Sequence, residues 1–179
     1  SYKVLYRPRI YAQGPLEVFP TTTIPSGWSQ KSGLLGEVLP GQSSLADGSA
    51  WEFGENDNVF DSHAKLSLVP NVHHWLISPT VAIANNNILN FDIALTVYSY
   101  HGPYDLFAVL VQDVDSGQWS LLRQWNNQGP SYVLQDISQT GENVSVDLSA
   151  YAGKNVRIAF YGERSDDFPW NVQIHIDNV

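Results

Sequence analysis

Carboxylates carry most of the chemistry this chain can offer. Its 179 residues include 18 Asp and Glu against 9 Lys and Arg, with neither Cys nor Met. Without thiols there are no cysteine nucleophiles, thiolate zinc sites or disulfides. What remains for a metal is hard-cation chemistry on oxygen, as calcium uses, with about 6–8 oxygen ligands in tolerant geometry. Asp177 on the closing segment IHIDNV and Glu17 in the early segment LEVF could share a calcium ion if first and last strands lie side by side. Asp47, in a Gly- and Ser-rich loop rich in carbonyls, is the third candidate ligand. The plainer reading has Asp177 capping a turn and the other two solvated. Glu55 and Asp57 are spaced like half a calcium loop but lack the Gly and Glu continuation of an EF-hand.

Other reactive constellations are weaker. His73 and His74 are adjacent, so on a strand they point to opposite faces and do not chelate jointly. His175 shares a strand face with Asp177, but no HExxH-like spacing completes a zinc site. There is no GxSxG nucleophile elbow. Glu52 and Asp92 could be posed as a glycosidase pair only with a cleft between them. The expectation is a protein that is not an enzyme. Aromatic rings are the alternative chemistry, because sugar C–H groups stack on their electron-rich faces. Trp28, Trp51 and Trp75 lie in apolar contexts and read as core. Trp119 and Trp125 alternate with polar neighbours. Tyr100 and Tyr104 flank a His-Gly-Pro turn and Trp170 sits in a polar loop, so these three are the candidate ligand-binding residues.

The elements that must position these side chains are strands. Apolar runs are short or alternating and are punctuated by Gly, Pro, Asn and Asp. The runs at 88–98, 106–113, 118–125 and 156–161 are the clearest, and Asp115-Ser116-Gly117 between two of them signals a hairpin. A segment at 16–19 reads as a short strand, residues 132–134 as another, and residues 32–61 as loops around one strand at 50–53. A helical turn is expected at 104–107 or 148–152. Ten to twelve strands with frequent turns predict an all-β antiparallel sandwich of jelly-roll topology, galactose-binding-like. Residues 1–15 read as an arm or linker and 16–179 as a single domain. The net charge of −9 and scattered basic residues argue against nucleic acid. No apolar run reaches the roughly 18 residues of a membrane-spanning helix, so membrane insertion is not expected. A start at Ser1 without Met reads as part of a longer chain.

The order of EVF (17–19), IPSGW (24–28), WLISP (75–79), LNF (89–91), the hairpin ending at Trp119, VDL (146–148), VRIAF (156–160) and IDNV (176–179) resembles one family. It is similar to the MAM-like jelly-roll domains of bacterial secreted proteins, including the choice-of-anchor J and cleaved-adhesin types. The resemblance implies a non-catalytic adhesion or binding module, secreted or at the cell surface, with structural calcium. It also implies that the first and last strands are neighbours, which brings Glu17 to Asp177. Implied partners are a host or matrix protein, a glycan and neighbouring domains of the same chain. The alternatives are a carbohydrate-binding module that targets an attached hydrolase and an accessory domain of a secreted protease.

Overall fold

The computed structural model describes residues 17–54, 59–85, 87–98, 102–167 and 171–179. Within them the chain forms β1 (Ser29–Ser32), α1 (Leu35–Val38), β2 (Ala46–Asp47), β3 (Trp51–Phe53), β4 (Ala64–Leu68), β5 (His73–Ile77) and β6 (Val81–Ala82). Then follow β7 (Ile88–Val97), β8 (Asp105–Asp113), β9 (Trp119–Asn126), β10 (Glu142–Asp147), β11 (Asn155–Arg164) and β12 (Val172–Asp177). One sheet runs β2-β1-β5-β11-β8-β9, with β6 also paired to β11. The other runs β10-β7-β12-β4-β3, and every strand pairing is antiparallel. The expected all-β sandwich is the fold observed.

Burial explains why some strands alternate and others do not. In β10 the pattern is one-sided: Val144 and Val146 are buried and their neighbours exposed. The larger sheet is covered on both faces, so β5, β8 and β11 carry runs of consecutive buried residues. Phe107, Val109, Ile158 and Phe160 point between the sheets. Trp75, Ala108, Leu110 and Tyr161 point outward into a second cluster, capped by Leu35 and Val38 of α1. Trp75 is therefore core, as expected, but on the outer side. The outer cap is held by the polar ends of its aromatics. Trp75 Nε1 donates to the Gly33 carbonyl at 2.8 Å. Tyr161 Oη accepts from Leu35 N at 3.2 Å and donates to Glu163 Oε2 at 2.6 Å. The segment read from sequence as loop thus contains α1 and serves as a lid.

Three local expectations change. Residues 17–19 form no regular strand, yet Glu17 and Val179 exchange both backbone hydrogen bonds, at 3.0 and 3.1 Å. Residues 134–136 form a 3₁₀ turn after an isolated bridge from Val133 to Asn126. Residues 105–107 belong to β8, while the helical turn expected near 148–152 forms at Ser149–Tyr151.

At Gly162 of β11, which faces Leu66 and Leu68 of the other sheet, a side chain is not tolerated. A Cβ at Gly162 would collide with the Leu66 side chain and lie 3.1 Å from that of Leu68. Gly162→Ala is expected to cost about 1–3 kcal/mol through overpacking. A urea titration should show a lower midpoint with an unchanged slope.

Candidate functional site

Three places gather polar or aromatic side chains with something to do. The first is the corner where Glu17 pairs with Val179. Asp177 and Asp92 are direct register partners on β12 and β7, which sets two like charges opposite each other. Asp92 is compensated: Asn143 Nδ2 donates to its Oδ1 at 2.9 Å and Asn178 Nδ2 to its Oδ2 at 2.7 Å. Asn178 can turn its amide this way because it adopts φ +52°, a left-handed conformation that Asn accepts more readily than most residues. Asp177 is not compensated in this way. It is 8% exposed, and its Oδ1 is buried with no hydrogen-bond partner among the described residues. Burial, with Asp92, Asp61 and Glu17 nearby, pushes its carboxyl up to about 6. Glu17 Oε1 accepts from Val18 N and Phe19 N, at 3.0 and 2.8 Å, and Ser62 Oγ hydrogen-bonds the Phe19 carbonyl.

The structure places Glu17, Asp61 and Asp92 near enough to Asp177 for their charges to act on its carboxyl. Asp47 is not among them: it sits on β2 at the edge of the other sheet, exposed and bonded to Lys31 Nζ at 2.6 Å. An oxygen-only donor set with an orphaned, buried carboxylate oxygen fits calcium. Among the described residues no three Asp, Glu or His side chains are grouped to hold a metal by themselves. An ion here would draw much of its shell from carbonyls.

The second place is the sandwich end from which the loops after β7 and β11 leave. There Arg164 and Asp105 are both fully buried register partners. Their fork is bidentate, Nε to Oδ1 and Nη2 to Oδ2, each at 2.6 Å. Asp105 Oδ2 also accepts from Gly102 N at 3.0 Å, and Asn127 Nδ2 donates to the Gly102 carbonyl at 2.9 Å. Gly102 is required by this approach, because a Cβ would lie 2.9 Å from Asp105 Oδ1. The chain is thus fixed just before Tyr104, which is exposed, and Tyr98 N bonds the Asn171 carbonyl at 3.2 Å. Tyr100 and Trp170, the other two expected ligand-binding residues, lie outside the described residues.

The third place was not among the expected sites. A cavity of about 500 Å³ lies on the outer face of the larger sheet, between residues 38–45 and the β8–β9 hairpin. Trp119 walls it, with Gln112, Gln118, Ser43 and Ser44 as polar lining. The sequence signal was the alternation of Trp119 with polar neighbours. The opposite wall, folded over from the region before β2, had no such signal. The two histidines near the first place do other work: His175 hydrogen-bonds His63 and Thr96, each at 2.8 Å, and both rings are buried.

No family model matches the chain, and no curated protein matches it. Solved structures do. The K1 cleaved adhesin domain of Lys-gingipain from Porphyromonas gingivalis superposes with a TM-score of 0.59 at 19% identity, covering 91% of this chain and 96% of that one. The K3 cleaved adhesin domain of the same protein gives 0.57 at 15% identity, covering 90% and 95%. A carbohydrate-binding module specific for non-crystalline cellulose gives 0.54 at 15% identity, covering 94% of each. At these identities the likeness establishes a shared jelly-roll fold.

Proposed function

We propose that this domain is a non-catalytic attachment module of a secreted or cell-surface protein, holding a glycan or a protein partner. The carrying observation is the outer cavity. It joins two segments distant in sequence, is walled by a partly buried tryptophan, and none of its lining side chains is ionisable. Acid–base and nucleophilic catalysis need titratable groups within reach of the ligand. A neutral, aromatic-walled cavity suits holding a ligand unchanged. The fold shared with adhesin domains and a carbohydrate-binding module supports the same reading by analogy.

Calcium enters as a structural ion at the corner where Glu17 pairs with Val179. Asp177 would hold it with backbone carbonyls supplying much of the shell, and the ion's charge would relieve the repulsion that Asp92, Asp61 and Glu17 exert on Asp177. The test of the module reading is capture of the purified domain on immobilised glycans and matrix proteins. Saturable binding to one ligand class is expected. A domain that binds neither class, or that cleaves what it contacts, contradicts the reading.

A further inference from the structure

We infer that the outer cavity takes a neutral saccharide ring stacked on Trp119. This rests on the attachment reading above and names its ligand and its site.

The first reason is preorganisation. Trp119 leans on Trp75, with ring centroids 5.3 Å apart at 57°. Trp75 in turn leans on Tyr161 at 5.0 Å. Trp75 is fully buried and fixed through its indole N–H to Gly33, and Tyr161 through its hydroxyl to Leu35 and Glu163. Trp119 itself is only half-buried, so one part of a rigidly backed indole is left for a ligand. Such a platform loses little conformational freedom on binding.

The second reason is the match of polarity. Around the indole, Val38, Leu39 and Leu45 supply apolar wall. The Gln118 amide and the Ser43 and Ser44 hydroxyls line the same space and make no hydrogen bond among the described residues. Gln112 is held at both ends, its Nε2 donating to the Gly117 carbonyl at 3.0 Å and its Oε1 accepting from Arg157 at 3.3 Å. One N–H of that amide remains in a fixed direction. A pyranose has this same division, with C–H groups on its faces and hydroxyls around its edge. The volume lies within the range of about 300–1,000 Å³ usual for small-molecule sites.

The third reason is charge. Although the chain carries −9, none of the cavity's lining side chains is charged. An ionic ligand would find no charged partner among the lining side chains, so its desolvation would be poorly offset. A neutral sugar meets no such cost.

The experiment titrates the domain with cellopentaose, xylopentaose and mannopentaose, with pentagalacturonate and a proline-rich decapeptide as contrasts. The indole N–H resonances of the 6 tryptophans report binding. At least one neutral pentasaccharide should shift the Trp119 resonance saturably. Trp119→Ala should weaken that binding at least about tenfold, since a stacked ring is lost. Trp119→Phe should weaken it less, and Gln118→Ala several-fold, while Ile88→Ser on the other sheet leaves it unchanged. A thermal melt of each variant checks folding, and the exposed Gln118 keeps the test open if Trp119→Ala unfolds. The inference is overturned if only the acidic sugar or the peptide moves Trp119. It is also overturned if no neutral sugar does, or if sugar binding survives both substitutions. In those cases saturable capture of another ligand by the same domain would leave the attachment reading standing.

Discussion

Arg164→Ala is expected to destabilise the fold by about 3–5 kcal/mol, because it leaves the Asp105 carboxylate buried without its counter-charge. Both side chains are fully buried and two bonds of 2.6 Å join them, so water does not reach the stranded charge without opening the sheet end. Such a loss is a large part of the ~5–15 kcal/mol that holds an ordinary domain together. Arg164→Lys should recover little, since an ammonium does not reproduce the two-pronged fork. The double substitution Asp105→Leu with Arg164→Met should fall short of the summed single losses, because Asp105 is no longer left charged, while Asp166, 3.9 Å from Arg164 Nε, still loses its counter-charge. Denaturant titration of these three variants and of the single substitutions Asp105→Leu and Arg164→Met measures this. If Arg164→Ala costs under about 1 kcal/mol, comparable to an exposed pair, the buried pair does not carry the end of the sandwich. The functional consequence is local: the pair also holds Gly102, so the loop bearing Tyr104 should loosen before the rest of the sheet does.

The second large effect is expected at Asp177 and depends on both pH and calcium. In the presence of a chelator, the folded-state carboxyl titrates near 6, above the ordinary 3.8. A raised folded-state value means the native protein binds the extra proton. The group's stabilisation is fully present below pH 3.8 and is lost as the pH rises through about 6. In chelator, Asp177→Asn should therefore flatten that part of the profile and raise the melting temperature above that of wild type at pH 7.5. Calcium reverses the order, because a bound cation favours the ionised carboxylate. At about 100 times the dissociation constant an ion adds roughly 2.7 kcal/mol, or on the order of 5–10 °C for a chain of this size. Asp177→Asn should remove most of that gain, whereas Asp47→Asn should keep it. A wild-type melt indifferent to chelator would refute the calcium role while leaving the pH effect to stand.

The fold was legible because its strands announce themselves in two ways. One-sided strands such as β10 alternate, and the doubly covered β5, β8 and β11 carry runs of consecutive buried residues. The lid over the outer face was not legible. Residues 33–45 are rich in Gly and Ser and become ordered through contacts with Trp75 and Tyr161, which are far away in sequence. For the same reason Trp119 could be seen as an aromatic among polar neighbours but not as a cavity wall. The corner around Asp177 was half legible. The Glu17–Val179 backbone pair brings Glu17 near Asp177, while the roles of Asp92, Asn143 and Asn178 come from cross-strand register. Asp47 misled because an acidic residue in a carbonyl-rich loop looks the same in sequence whether it meets a metal or, as here, Lys31.

The central claim is that the domain holds a ligand and leaves it chemically unchanged. The most direct measurement is equilibrium capture on immobilised glycans and matrix proteins, followed by elution and mass analysis of the ligand. The account predicts saturable, reversible capture of one ligand class and an eluted ligand of unaltered mass. Fragments in the eluate, or no saturable capture across either class, would contradict it.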